Sequence, residues 1–351
     1  MAILMLCNIP IYDISNDRIL DEKRCPFVIN INNSTKQAYE TWYSHRQYLK
    51  TNRNAERIVS QTGGEETCEA KRRLSLSDCF WIKYPYDNNN FYEITPYIVP
   101  FSLMAVNSSS VPELVLGGSQ PKEWGKGRDN TTYMIKMESN KQIHAEMLAV
   151  KLALESGIKS MNAFVRTDKG RLYAKAYSKD IDYSYLGQIN LVNFTNTSRS
   201  LIQFDQLGIG INGYNIKNIA KAYKKAGVNL QSLSVPMSQI LFDCTIGNID
   251  RKTNNSNWGI FLNNETGERS PSWMYDFNWA NLYTRNDDML KEVVVSIKDL
   301  SLENESYNFL NHLKYKCNNL GLKLWEENIQ IILDTISKTS FSFTASQVFT
   351  K

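Results

Sequence analysis

Three side chains between residues 240 and 277 combine a base with oxygen ligands in an order that suits phosphoryl transfer. They are Asp250, Asn255 five residues later, and Asp276 beyond a predicted hairpin. Moving a phosphoryl group requires a carboxylate to orient an attacking hydroxyl and accept its proton, and oxygen ligands to hold magnesium on the phosphates. Asp and Asn are also the default residues of turns, so the same positions read equally as two Asx-rich loops.

The elements around this set are predicted from its flanks. A mostly apolar run, Val235 to Phe242, leads into Thr245-Ile246-Gly247-Asn248, where Gly and Asn break the pattern and place Asp250 in a loop. Trp258 to Leu262 predicts a short strand, Asn263 to Gly267 a polar turn, and Trp273-Met274-Tyr275 the lead-in to Asp276.

A second group lies upstream. Leu114 to Thr132 contains an apolar strand and then the loop Gly117-Gly118-Ser119-Gln120-Pro121-Lys122, followed by a strand ending in Lys136. Glycines let backbone N–H groups close on phosphate oxygens, and Lys122 adds positive charge there. Gln142 to Ser156 predicts an amphipathic helix with Ile143, Met147, Val150 and Leu154 on one face and Gly157 as its C-cap. Glu146 lies early in that helix, where it suits a pairing with Lys136 in a kinase. A carboxylate near a helix N-terminus also simply favours the dipole. Phe164-Val165 and Leu172 to Tyr177 flank the turn Asp168-Lys169-Gly170 as a hairpin, whose exit, with Tyr177, would meet an adenine if these elements form the N-lobe of a kinase. Ser178 to Asn196 is too polar to assign.

The segment Gly247-Asn248-Ile249-Asp250-Arg251-Lys252-Thr253-Asn254-Asn255, followed by a strand and Met274-Tyr275-Asp276-Phe277, resembles the signature of the HipA-like serine/threonine kinases. That signature is Asn-x-Asp-Arg-His, an Asn five after the Asp, and then Tyr-Asp. Gly118 to Lys122 is similar to the family's Gly-x-x-Pro-Lys loop, Ile135-Lys136 to its Ile-Lys strand, and Glu146 to Ala153 to its Glu-x-x-x-x-x-Leu-Ala helix. Lys252 stands where the family has His. Leu74-Ser75-Leu76-Ser77-Asp78-x-x-Trp81 is similar to a segment of other members.

The resemblance covers about residues 110 to 340. It implies an α+β, two-lobed protein-kinase-like fold, with a β-rich N-lobe over 101–178 and a mainly helical C-lobe over 179–351. It further implies an ATP- and Mg2+-dependent kinase acting on a protein Ser/Thr substrate and on itself. Asp250 is then the base, Asn255 and Asp276 the metal ligands, and Lys136 the contact to the inner phosphates, steadied by Glu146. Gly117, Gly118, Ser119, Gln120 and Lys122 hold the nucleotide. The family includes toxins of toxin–antitoxin pairs, so an antitoxin-like protein partner is implied, and Ser119 or Ser108-Ser109-Ser110 is a candidate phosphorylation site by position. A nucleotide-binding regulator without catalysis and a lipid or small-molecule kinase remain alternatives, because these loops handle the donor rather than the acceptor.

Bulk properties set the frame. A chain of 351 residues with 42% hydrophobic and 22% charged residues has the composition of an ordinary globular protein and can bury a sizeable core. A net charge of +4 is too mild to argue for nucleic acid, and no direct nucleic-acid contact is expected. The six cysteines form no CxxC pair or Cys/His ligand spacing, so reduced thiols in a cytoplasmic protein are expected, without zinc. No apolar run approaches the roughly 18 residues of a membrane span.

Residues 1–100 are the least legible. The sequence predicts one strand over Ile3–Ile11 and a helix from Thr35 to about Val59, capped at Asn33-Ser34, with the segment packed on the N-lobe. His45, Arg46, Lys50, Arg53 and Arg57 read as a solvated face or a contact for an acidic partner. Toward the C-terminus, helices are predicted at Ile216 to Tyr223, Asp288 to Lys298, Asn304 to Cys317 and Lys323 to Ser337. Gly227 ends the first, and its lysines 217, 221, 224 and 225 form a solvated face.

Overall fold

The computed structural model describes residues 2–27, 34–46, 73–75, 77–95, 140–161, 198–280 and 287–338, together with the backbone of five strands between 122 and 192. It is a mixed α and β structure with three antiparallel sheets. The glycine loop from Gly117 to Gln120, and Tyr177, lie outside the described residues.

The first sheet has the order β3-β2-β1-β4, with β1 at Ile3–Leu6, β2 at Ile9–Asp13, β3 at Arg18–Ile19 and β4 at Phe80–Lys83. The expected single strand Ile3–Ile11 is thus a hairpin: Cys7 adopts φ 50° and reverses the chain. Helix α1, Thr35–Ser44, starts at the predicted cap. The Ser34 hydroxyl accepts from the Gln37 N–H and the Gln37 side chain accepts from the Ser34 N–H. It ends at His45, earlier than its sequence pattern suggests, and the remainder of that prediction lies outside the described residues.

Arg46, expected on a solvated or partner-binding face, is instead 1% exposed. Its guanidinium forms an ion pair with buried Asp78, donates to the carbonyls of Arg73 and Phe80, and lies 4.7 Å from the Trp42 ring centroid. Asp78 belongs to the Leu-Ser-Leu-Ser-Asp segment, which therefore has a structural role. Its neighbour Ser77 accepts at its carbonyl from Leu201 N–H at 2.7 Å.

The second sheet has the order β5-β6-β9-β7-β8, formed by Lys122–Lys126, Thr132–Met137, Gln188–Val192, Ala163–Thr167 and Gly170–Tyr173 respectively. The predicted hairpin is β7–β8, with Phe164 opposite Tyr173. Strand β9, within the stretch too polar to assign, lies in the middle of the sheet and leads on to the third sheet. Helix α3, Asn140–Glu155, follows β6; the short α2 is Phe91–Ile94. Ile143, Met147 and Val150 are buried as predicted, but Leu154 is exposed and Leu152 is buried in its stead. The predicted cap is present: Gly157 has φ 73° and Ile158 N–H returns to the Ala153 carbonyl at 2.9 Å.

The third sheet, β10-β11-β12, comprises Arg199–Gln203, Gly259–Asn263 and Arg269–Pro271. Gly259 is required where β10 passes closest, since a Cβ there would meet the Ile202 carbonyl oxygen at 2.7 Å. The N-terminal unit joins this sheet: Cys79 N–H donates to Ser200 Oγ at 3.0 Å, and Arg24 Nε to the Asn264 carbonyl at 3.1 Å. Helices α4 (Ile216–Lys225), α5 (Ser234–Ile246), α7 (Asp287–Asp299), α8 (Glu303–Asn319) and α9 (Lys323–Lys338) complete the C-terminal half, with the single turn α6 at Asp250–Thr253. Trp325, Ile329, Ile332 and Ile336 of α9 are at most 1% exposed, and the four α4 lysines face solvent, as their spacing predicts.

Truncating one member of a buried ion pair leaves the other charge uncompensated. Arg46→Ala is therefore expected to cost about 3–5 kcal/mol of stability, read as a lower denaturation midpoint at unchanged slope. The paired replacement Arg46→Met with Asp78→Leu should recover most of that loss.

Candidate functional site

Asp250 opens the turn α6, one residue beyond the exposed Ile249 and three beyond Gly247, which ends α5 in the left-handed region. Asp276 follows β12 and itself has φ 62°. A non-glycine residue in that conformation is uncommon, and Asp is among those that tolerate it. The predicted strand Trp258 to Leu262 is β11, one residue later, at Gly259–Asn263; the hairpin's second strand is β12 at Arg269–Pro271, ahead of the expected lead-in Trp273 to Tyr275.

One buried cluster ties the two loops together. α5 places Asp243 in the core, 0% exposed, where its carboxylate accepts from Tyr214 OH and from Asn248 Nδ2 at 3.1 Å. Arg251, directly after Asp250, lies with its Nε 2.9 Å from the same carboxylate. Its remaining nitrogens donate to the Asn257 carbonyl and, at 2.6 Å, to the Tyr275 carbonyl. Its own carbonyl accepts from Trp258 Nε1 at 2.9 Å. The rings of Trp258, Tyr275 and Phe277 surround the guanidinium, with centroids 5.4, 5.9 and 5.5 Å away. Burial opposes the Arg251 charge, but Asp243 and the neighbouring tyrosines more than offset it and hold the guanidinium above its ordinary range. One side chain thus anchors the residue after Asp250 to the residue before Asp276.

The carboxylates are consequently brought within electrostatic reach of each other. Burial pushes the Asp250 carboxyl above the usual aspartate range and the Asp276 charge pushes it further, while hydrogen bonds from Asn257 and Asn254 pull it back only in part. Asn257 Nδ2 donates to Asp250 Oδ2 at 2.5 Å, which orients the carboxylate. Asn255, half-buried in the 3₁₀ turn Asn255–Asn257, accepts weakly at Oδ1 from Ile211 N–H at 3.4 Å and retains acceptor capacity. Tyr275 OH and Gln203 Nε2 both donate to the Ser256 carbonyl, at 2.7 and 2.6 Å, closing the turn on the third sheet.

Lys252, at the position where the family's His is expected, donates to Glu292 of α7 at 2.8 Å, and Glu292 also accepts from Tyr214 N–H at 2.8 Å. Burial works against the Glu292 charge, yet Lys252 and the Tyr214 N–H keep its carboxyl below its ordinary range. Lys252 therefore tethers the loop to α7.

The upstream residues are placed less completely. Lys136 in β6 and Lys122 in β5 are direct register partners. Glu146 lies on α3 and is 0% exposed, a burial a carboxylate tolerates only with polar partners. Asp243, Tyr214, Asn257 and Glu292 were not singled out from sequence. Asn257 was the one with a local signal, as the third Asn of the run after Asp250.

With this geometry in place, comparison with known proteins gives a fold. No protein-family model and no curated protein matches the sequence. Among solved structures, HipA of the Shewanella oneidensis MR-1 toxin–antitoxin system is similar over 96% of this chain and 97% of its own, with 10% identity and a TM-score of 0.54. The Helicobacter pylori proinflammatory kinase CtkA aligns with 63% of this chain and 95% of its own at 14% identity. Its TM-score of 0.40 is too low to establish a shared fold. The resemblance to HipA-like kinases thus extends to the architecture. It also reaches well beyond residues 110–340, taking in most of the N-terminal segment.

Two expectations change in scope. The Shewanella HipA was solved in a complex with HipB and its operator DNA, so the expectation of no nucleic-acid contact, drawn from mild net charge, does not stand. On membranes, no helix among the described residues is long and apolar enough to cross one.

The mutual influence of the two carboxylates is directly measurable. Replacing Asp276 by Asn removes one source of repulsion, so the Asp250 carboxyl, followed by carbon NMR, should titrate lower in Asp276→Asn than in the wild type. An unchanged titration would mean the two groups do not sense each other. Arg251→Ala, which strands buried Asp243, is expected to lose about 3–5 kcal/mol.

Proposed function

We propose that this chain is a HipA-like serine/threonine protein kinase, with a two-lobed fold, that uses ATP and magnesium and phosphorylates itself. The observation that carries the reading is the junction of the Asp250 and Asp276 loops through Arg251, in a chain with the fold of a HipA.

The residues fit a divalent cation on their own chemistry. Two partly buried carboxylates, one of which raises the proton affinity of the other, are stabilised by a positive charge between them, and Asn255 adds a neutral oxygen donor. Magnesium takes few protein ligands and completes its shell with phosphate and water, so Asn255 and Asp276 suffice to hold it. Bound there, the metal would neutralise charge developing on the phosphates.

Asp250 then orients the acceptor hydroxyl and takes its proton, with Asn257 fixing the carboxylate's direction. Lys136, Lys122 and the Gly117 to Gln120 loop hold the phosphates, Glu146 steadies Lys136, and the backbone near Tyr177 meets the adenine. In this reading the N-lobe runs from residue 101 through β9, which pairs with β6 and β7, rather than ending at 178 as its sequence suggests; the C-lobe runs from there to 351, with 1–100 as an N-terminal unit. The toxin–antitoxin context of the Shewanella HipA extends the reading to an antitoxin-like partner and, in assembly with it, operator DNA.

Incubation with labelled ATP and magnesium should label the wild type and leave Asp250→Ala unlabelled, a loss of roughly 10²- to 10⁴-fold for removal of a general base. The rate should fall as pH drops through the raised Asp250 value, because only the ionised carboxylate accepts the proton. The acid limb is therefore expected above the ordinary aspartate range near ~3.9. Equal labelling of wild type and mutant would overturn the assignment of Asp250. Nucleotide binding without turnover by either would favour a regulator that only senses nucleotide.

A further inference from the structure

We propose that Cys7 and Cys79 form a disulfide on exposure to a peroxide, stapling the N-terminal sheet at its junction with the third sheet. The inference stands apart from the kinase reading and rests on strand register. β1 and β4 are antiparallel with Leu6 opposite Phe80, so the next pair along the ladder is Cys7 and Cys79. Cys7 N–H donates to the Cys79 carbonyl at 3.0 Å, which continues the ladder by one step. Only one of the two backbone bonds of a ladder pair is made, because Cys79 N–H goes to Ser200 Oγ; opposed residues of an antiparallel ladder have Cα atoms about 4.5–5.5 Å apart. That separation lies within the range a disulfide spans.

The thiols already touch. The Cys79 thiol hydrogen-bonds to the Cys7 sulfur, which lowers the proton affinity of Cys7 and raises that of Cys79. Cys7 is the less buried member, 7% exposed against 0% for Cys79. The other described cysteines are unlike it: burial pushes Cys25 and Cys317 up to about 12 and Cys244 higher still. A nucleophile and a resolving thiol are thus adjacent.

The chemistry balances with hydrogen peroxide as oxidant. The Cys7 thiolate attacks one peroxide oxygen, the O–O bond breaks, and the departing hydroxide takes up a proton to become water. Cys7 is now a sulfenic acid. The Cys79 sulfur attacks the Cys7 sulfur, the S–O bond breaks, and the leaving hydroxide departs as water with the Cys79 proton. Two thiols have lost two electrons and one peroxide has become two waters. The new bond lies beside established links, since Cys79 N–H holds Ser200 Oγ, Ser200 Oγ donates to Asn264 at 2.9 Å, and Cys7 accepts from Trp81 Nε1 at 2.7 Å.

The test treats the full chain with hydrogen peroxide, alkylates remaining thiols under denaturing conditions, and digests without reductant. The expected product is tryptic peptide 1–18 linked to peptide 74–83, restored to two alkylatable peptides by a reductant. The oxidised chain should also melt at a higher temperature than the reduced one, because the bond closes the loop from residue 7 to residue 79. Cys79→Ser should leave Cys7 as a sulfenic acid that a dimedone probe captures. Recovery of both cysteines fully alkylated from the wild type at peroxide concentrations that fully oxidise a small free thiol in the same buffer would overturn the proposal. So would Cys7 advancing to sulfinic acid with Cys79 still free. Either result is read on the wild type and does not depend on the variant folding.

Discussion

The contact between Arg251 and Asp243 is the constraint on which the candidate site depends. A guanidinium buried among Trp258, Tyr275 and Phe277 is tolerated only because a carboxylate lies at ion-pair distance from its Nε and two carbonyls accept from its other nitrogens. The partners come from three places: the core of α5, the turn after Asp250 and the residue before Asp276. Because the fork is planar and rigid, fixing its partners fixes the spacing of the loops they belong to. A pair this deeply buried adds little net stability over an apolar equivalent, since desolvation consumes most of the attraction. Its contribution lies in the register it imposes, which Tyr214, Asn248 and Trp258 reinforce from three sides.

The same principle recurs at Arg46 and Asp78, far from the site in sequence. There a second buried guanidinium gathers Asp78 and the carbonyls of Arg73 and Phe80 onto α1, and Ser77 passes the connection to Leu201 of β10. β10 pairs with β11, which carries the chain from one site loop toward the other. The N-terminal unit and the site loops therefore both attach to the third sheet. Lys252 adds a lateral tether through Glu292 to α7, which also holds the backbone of Tyr214, itself a donor to Asp243.

Local features were legible because local physics sets them. The α9 helix showed its apolar stripe at intervals of four, three and four, and the structure buries all four members. The Ser34 cap and the Gly157 cap each depend on bonds within a few residues, so their chemistry is visible in the sequence. Where a neighbouring element decided, the pattern misled. Cys7 turns the chain in the middle of an apolar run, and Leu154 yields to Leu152 because contacts beyond the helix, not its period alone, choose the buried face. β9 was hidden because its flanking residues are polar although its place in the sheet is central.

The chemical inventory and its order are already in the sequence: Asp250, Asn255 and Asp276 on loops separated by a hairpin, with the helices that follow. Periodicity, turn residues and spacing are one-dimensional quantities and survive in one dimension. Only the tertiary structure decided that Asp250 and Asp276 would sense each other's charge, and that Arg251 would join their loops. It also decided that Arg46 would be buried rather than displayed. Ion pairing between residues distant in the chain depends on where separate elements pack, and burial then sets how strongly the charges act. Neither quantity is written in the spacing of residues along the chain.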